Sequence, residues 1–167
     1  GESKALAENI VREYAEQTQA KVYIYRLPNV FGKWCRPNYN SVVATFCHNI
    51  ANDLPITIND PDAKLNLVYI DTVCEHFIHH LTNDELSGEQ SIKPIYPTTV
   101  GDIANMLQAF KDSKESLITE NVGSGFLRAL YSTYISCYSP EQFSYTVPAY
   151  TDPRGAFCEL LKTKEAG

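Results

Sequence analysis

Apolar positions recur every three or four residues between Ser3 and Thr18, at Leu6, Ile10 and Tyr14, with Val11 widening the stripe. That spacing predicts an amphipathic helix, because residues three and four apart share a face. The next segment, KVYIYRL, is apolar nearly throughout and rich in β-branched and aromatic residues. It is expected to form a buried, parallel strand. PNVFGKWCRPNYN is then punctuated by two prolines, a glycine and three asparagines, the chemistry of a loop. Ordered loops of this length carry function more often than plain connections do.

SVVATFCHNIAND predicts a second helix, LPITI a short strand starting at a proline, and KLNLVYI a further strand after the turn NDPDA. DTVCEHFIHHLT predicts a helix capped by Asp71 that buries Val73, Phe77, Ile78 and Leu81. SIKPIYP is a candidate short strand. In TTVGDIANMLQAFK, Thr99 stands three residues before Asp102, a capping-box-like start, with Val100, Ile103, Leu107 and Phe110 on one face. GFLRALYSTYISC supplies another helix, and Tyr131, Tyr134 and Tyr138 recur at helical spacing and are assigned to packing. After Pro140 the chain changes to FSYTVPAYTDPRGAFCELLKT, with strand chemistry and turn residues. Strands separated by helices indicate an α/β organisation. The sequence holds no G-x-G-x-x-G and no P-loop that would cradle a pyrophosphate at a helix N-terminus.

Composition narrows the class. With 44% hydrophobic and 20% charged residues, the 167-residue chain is neither disordered nor fibrous, and its length suits one domain plus a short extra segment. No apolar run approaches the roughly 18 residues that span a bilayer, so a membrane is not an expected partner and a cytoplasmic location is the simplest expectation. Five widely spaced cysteines without a C-x-x-C pair are expected to be reduced and mostly buried. A net charge of −6 argues against nucleic acid. Between Gln17 and Asn52, however, there is no Asp or Glu, while Lys21, Arg26, Lys33 and Arg36 fall inside the window. That is either a local field suited to a small phosphate or diphosphate, or a chance gap on a solvated face.

Three segments then carry a resemblance. Gly1, Ser3, Lys4 and Glu8 match in register the pattern Tyr-Gly-x-Ser-Lys-x-x-x-Glu, and Arg26, Asn29, Phe31 and Gly32 match Arg-x-x-Asn-x-(Tyr/Phe)-Gly. VYID at Val68–Asp71 is similar to a later Val-Tyr-Val-Asp-Asp. In this order they resemble the extended short-chain dehydrogenases/reductases, the NAD-dependent epimerase/dehydratase superfamily, over about residues 1–138. Where many members have Arg-Asp-Phe before the Val-Tyr, this chain has Leu65, Asn66 and Leu67. Lys33 and Arg36 are the replacement candidates for meeting a substrate diphosphate. The loop FGKWCRPNYNSVVATFC resembles that of the CapF-type bifunctional capsular-polysaccharide reductases, which fuse a reductase domain to a cupin. DPRGAFCELLKT resembles the first strand of a sugar-epimerase-like cupin, matching at Asp152, Arg154, Gly155, Phe157 and Glu159; the alternative is an edge strand of the main domain.

The resemblance implies a fold: the C-terminal, substrate-binding part of a Rossmann-like reductase (residues 1–145), then a linker and the start of a cupin (146–167). It implies a catalytic tyrosine immediately before Gly1, so that the isolated chain is expected to be inactive. A ketone that accepts a hydride becomes an alkoxide and needs a proton, which tyrosine supplies at neutral pH only if its pKa of about 10 is lowered. At ~4 Å and an effective dielectric of ~20, the Lys4 ammonium would stabilise a phenolate by about 4 kcal/mol, bringing that tyrosine to roughly 7. The resemblance also places Lys4, Leu27, Pro28 and Asn29 at NADPH (or NADH), and Asn29, Lys33, Arg36, Asn40 and Ser41 at a nucleotide sugar. Trp34 is either a lid over the sugar or a packed anchor. His48, His76, His79 and His80 lack ligand spacing, so no metal site is expected.

The implied reaction is reduction of the 4-keto group of a UDP-linked deoxy amino sugar for capsular or surface polysaccharide. A 4-epimerase or 4,6-dehydratase is the alternative within the superfamily. A non-catalytic dimerisation module is the other, with the first helix as its interface and a homodimer expected of the full-length protein.

Overall fold

The computed structural model describes residues 2–163. Helix α1 (Glu2–Thr18) leads into β1 (Tyr23–Tyr25) and β2 (Asn29–Phe31), then α2 (Val42–Ala51), β3 (Lys64–Tyr69) and α3 (Ile70–Thr82). Strands β4 (Gly88–Gln90) and β5 (Tyr96–Thr99) precede α4 (Val100–Ser116), β6 (Ile118–Thr119) and α5 (Gly125–Ile135). A 3-10 turn, Pro140–Phe143, leads to β7 (Ala149–Asp152), β8 (Gly155–Cys158) and β9 (Lys162–Thr163).

Strand β3 organises the molecule. It lies between β2 and β5, parallel to the first and antiparallel to the second, with Asn29 opposite Leu67 and Phe31 opposite Tyr69. Successive side chains of a strand face opposite ways. Leu67 therefore enters a large core while Val68, its neighbour, enters a small one. The large core joins Phe31 and Leu67 to Phe46 of α2, to Ile103 and Leu107 of α4, and to Leu130 of α5. The small one contains Val68, Val73 and Ile92.

Local chemistry sets the helix starts. The Ser41 hydroxyl accepts a hydrogen bond from the Ala44 N–H and starts α2, and Thr99 accepts from the Asp102 N–H and starts α4. Each satisfies an amide with no partner inside its helix. Gly32, after β2, is required by close approach, since a Cβ there would collide with the Ile70 side chain.

Several expectations change. Of the α3 stripe only Val73 is buried; Phe77, Ile78 and Leu81 stand 46%, 59% and 85% exposed. Periodicity defines an apolar face but not what covers it. Tyr69 is the N-cap residue of α3, without a side-chain cap, because Asp71 lies in the first turn and accepts from Lys33 instead. LPITI forms no ladder among the described residues. KVYIYRL contributes only the three-residue β1, parallel to β4 as expected, and of its residues only Ile24 is buried. The loop PNVFGKWCRPNYN opens with β2 rather than being irregular throughout. All five cysteines are free thiols, yet only Cys47 is fully buried.

The tail segment forms the β7–β8 hairpin, with Asp152 opposite Gly155 and every strand residue exposed. β9 pairs with β6 of the main body. Residues 164–167 of that segment, and Gly1 of the first motif, lie outside the described residues.

Candidate active site

Helix α1 buries no residue. Charge holds it beside β1. The Arg26 guanidinium donates to both Glu8 oxygens, Nε to Oε1 at 3.1 Å and an Nη to Oε2 at 2.8 Å. Arg26 also approaches Glu89 of β4 at 3.3 Å, and Arg12 of α1 donates to the same carboxylate at 2.6 Å. The guanidinium beside Glu8 holds its carboxyl below the usual range, and Glu8 in turn raises Arg26. Two-point contact with a planar guanidinium fixes orientation as well as distance. The latch therefore joins the residue that ends the first sequence motif to the residue that opens the second.

Between α1 and β1 lies a cleft of about 650 Å³, lined by Lys4, Glu8, Val11, Tyr25, Arg26 and Leu27 among others. Its size falls in the ordinary range of ligand sites, roughly 300–1,000 Å³. Lys4 and Leu27, distant in sequence, share it. Pro28 is half-buried and Asn29 exposed where β2 begins.

The other predicted residues lie apart from that cleft. Lys33 donates to Asp71 at 2.9 Å and lies 5.6 Å from the Tyr69 ring centroid and 5.8 Å from that of Trp34. The hydrogen bond to Asp71 raises its pKa, so it stays an ammonium. Arg36 lies 5.6 Å from the Tyr39 ring centroid and lines a separate pocket of about 310 Å³ with Gly32, Trp34, His48 and Cys137. Asn40 is exposed, and Ser41 serves as the α2 cap.

Trp34 is 86% exposed, so it is not a packed anchor. It and Asn38 adopt left-handed backbone, with φ of 63° and 55°. Non-glycine residues hold that conformation at a cost, and such strain collects in functional loops. Among the described residues no His, Cys, Asp or Glu cluster could hold a metal ion, and no helix is long and apolar enough to cross a membrane.

Residues 1–92 match the family described as NAD dependent epimerase/dehydratase. The chain belongs to that family. The fold is accordingly a mixed α/β, Rossmann-like epimerase/reductase fold. A Pseudomonas aeruginosa protein, UDP-2-acetamido-2,6-beta-L-arabino-hexul-4-ose reductase, is 51% identical over 169 residues, covering 100% of this chain and 45% of that protein. The crystal structure of capsular polysaccharide assembling protein CapF from Staphylococcus aureus superposes with a TM-score of 0.91 at 40% identity, covering 100% of this chain and 47% of that one. The Thermus thermophilus UDP-glucose 4-epimerase complex with NAD shares the fold at 24% identity and a TM-score of 0.55, over 65% of this chain and 37% of that one. The chain thus spans less than half the length of these relatives.

The sequence placed Glu8 in a motif and Arg26 in a motif and in a cationic window suited to phosphate, without showing that the two pair. It missed likewise that Lys33 would meet Asp71. Both contacts join segments apart along the chain, and only the acid-free window around these cations hinted that their partners come from elsewhere.

Proposed function

We propose that the protein containing this chain is an NAD(P)H-dependent reductase of the 4-keto group of a UDP-linked deoxy amino sugar, acting in the synthesis of capsular or surface polysaccharide precursors. The observation that carries the reading is the Glu8–Arg26 latch, which sets Lys4 and Leu27 on one cleft. The 51% identical reductase from Pseudomonas aeruginosa supports the substrate class. The free thiols support a reducing, cytoplasmic setting.

The cleft fits the nicotinamide end of a dinucleotide, since it pairs an apolar wall at Val11 and Leu27 with the cations Lys4 and Arg26. When bound, the cofactor supplies a hydride to the ketone. Lys4 stabilises the phenolate form of the tyrosine acid expected at the position before Gly1, and so lowers the cost of giving the proton to the sugar O4. Leu27 and Pro28 exclude water beside the ring. Asn29 orients the sugar with an amide that both donates and accepts. Arg36 and Lys33 meet the diphosphate, with Asn40 and Ser41 beside them. The Ser41 oxygen accepts from the Ala44 N–H and keeps its own O–H free to donate. Trp34 is the lid over the sugar.

Asp152, Arg154, Gly155 and Phe157 of the cupin-like motif sit on the exposed β7–β8 hairpin, with Glu159 just after it, which supports reading residues 146–167 as a linker and the start of a cupin after a reductase portion at 1–145. The bare stripe of Leu6, Ile10 and Tyr14, each more than half exposed, favours α1 as a homodimer face.

The test is to incubate the full-length protein with a UDP-4-keto amino sugar and NADPH while following nicotinamide absorbance. Stoichiometric consumption of NADPH with formation of the 4-hydroxy sugar is expected. Isomerised or dehydrated product without net consumption would replace this reading with a 4-epimerase or 4,6-dehydratase.

A further inference from the structure

The loop that follows β2 is pinned to the junction of β3 and α3 at two neighbouring residues. Gly32 lies so close to Ile70 that a Cβ there would collide with its side chain, and the Lys33 ammonium donates to Asp71 Oδ2 at 2.9 Å. Further along, the loop is tied to α2, where the Asn38 N–H donates to the Thr45 hydroxyl at 2.9 Å. Between these points stand Trp34 and Arg36, both exposed. An indole that buries so little surface gains little from packing, so its place is set by its neighbours.

The decisive neighbour is Lys33. Its ammonium lies between two rings, 5.6 Å from the Tyr69 centroid and 5.8 Å from that of Trp34. Tyr69 is itself fixed, because it stands opposite Phe31 in the β2–β3 ladder with the two rings 5.4 Å apart. A cation attracts the face of each ring. The ammonium therefore carries the order of the strand ladder out to the indole. What holds the ammonium is Asp71, placed in the first turn of α3, where the helix dipole favours a carboxylate.

We propose that Asp71 is a positioning residue of the nucleotide-sugar site, holding Lys33 and, through it, the Trp34 loop in the arrangement that meets a diphosphate. This role rests on Lys33 meeting the diphosphate and Trp34 covering the sugar, as in the proposed function. An ammonium has three N–H donors, and Asp71 takes one of them, which leaves donors for phosphate oxygens. A carboxylate repels a diphosphate directly, so whatever Asp71 contributes to binding passes through Lys33. Lys33 is the less exposed partner, 29% against 48% for Asp71. Without the carboxylate it loses the one directional bond that fixes it between the rings.

The test measures calorimetric binding of UDP to the full-length protein, together with the KM for a UDP-4-keto amino sugar and for NADPH. Asp71→Asn keeps the shape of the side chain and removes its charge. It is expected to weaken UDP binding about three- to fivefold, the scale of a part-exposed ion pair, and to raise the sugar KM by the same factor. The KM for NADPH and the melting temperature should not change, and Asp71→Glu should recover part of the loss. Lys33→Met should weaken UDP at least as much as Asp71→Asn does, and combining the two should weaken it no further.

Unchanged or tighter UDP binding in Asp71→Asn would overturn the proposal, as would a further loss when it is added to Lys33→Met. Absence of UDP binding by the unaltered protein would overturn it together with the proposed substrate class. Isomerised product without NADPH consumption would overturn only the reductase reading, since the UDP affinities decide the role of Asp71 independently of turnover.

Discussion

The two halves of the molecule are held together by different forces. Around α2, α4 and α5, Phe46, Ile103, Leu107, Phe110 and Leu130 are at most 4% exposed and pack into one core. Around α1, β1, β4 and α3, apolar burial is confined to Ile24 and the small core of Val68, Val73 and Ile92, and α1 is tied on through the surface network Glu8–Arg26–Glu89–Arg12, beside Lys21 with Asp84 and His79 with Glu85 at 2.6 Å. Surface ion pairs stabilise little, while apolar burial stabilises strongly. The first half is therefore the stable scaffold. The second orients the helix that carries Lys4, with apolar faces on α1 and α3 left bare.

The comparison breaks most sharply in the core. Leu107→Ala leaves a cavity at a fully buried site and is expected to cost about 2–5 kcal/mol in urea unfolding, whereas Leu6→Ala, at 61% exposure, should stay within about 0.5 kcal/mol. Equal losses would mean that α1 is packed as firmly as α4. Gly32→Ala forces a methyl group against Ile70 and should cost about 1–3 kcal/mol; it should also lower turnover of the full-length enzyme, since the Trp34 loop starts there. Thr99→Ala removes the α4 cap and should cost about 1 kcal/mol, checked by the same unfolding series.

The smallest effect on stability, and the most selective effect on function, is expected at the latch. Glu8→Gln should leave the melting temperature unchanged within error yet raise the KM for NADPH in the full-length enzyme. Because the folded Glu8 carboxyl titrates below its ordinary value of 4.5, the latch is complete above that value. It is lost as pH falls through the lowered folded value. Loss of α1 order on acidification should thus begin only below pH 4.5, as followed by NMR of the Arg26 side chain.

The scaffold half was legible in the sequence because its signals are local. Ser41 and Thr99 are hydroxyl residues directly before apolar-periodic runs, and the Ile103, Leu107 and Phe110 spacing marks a face that the structure buries. The family was legible through three short motifs in order. The other half was harder to read. Phe77, Ile78 and Leu81 have the spacing of buried residues and are not buried, since the pattern states which face is apolar and is silent on what meets it. Pairings such as Lys33 with Asp71 depend on where β2 and β3 bring their ends together, and no local rule contains that information.

Site-resolved amide hydrogen exchange at low and at 1 M salt tests the central claim most directly. The account predicts that α4 and α5 amides exchange only through global unfolding at both salt concentrations. Amides of α1 should exchange through a smaller opening that becomes easier at 1 M salt, where charges are screened beyond about 3 Å. Protection in α1 equal to that in α4, and indifferent to salt, would contradict it.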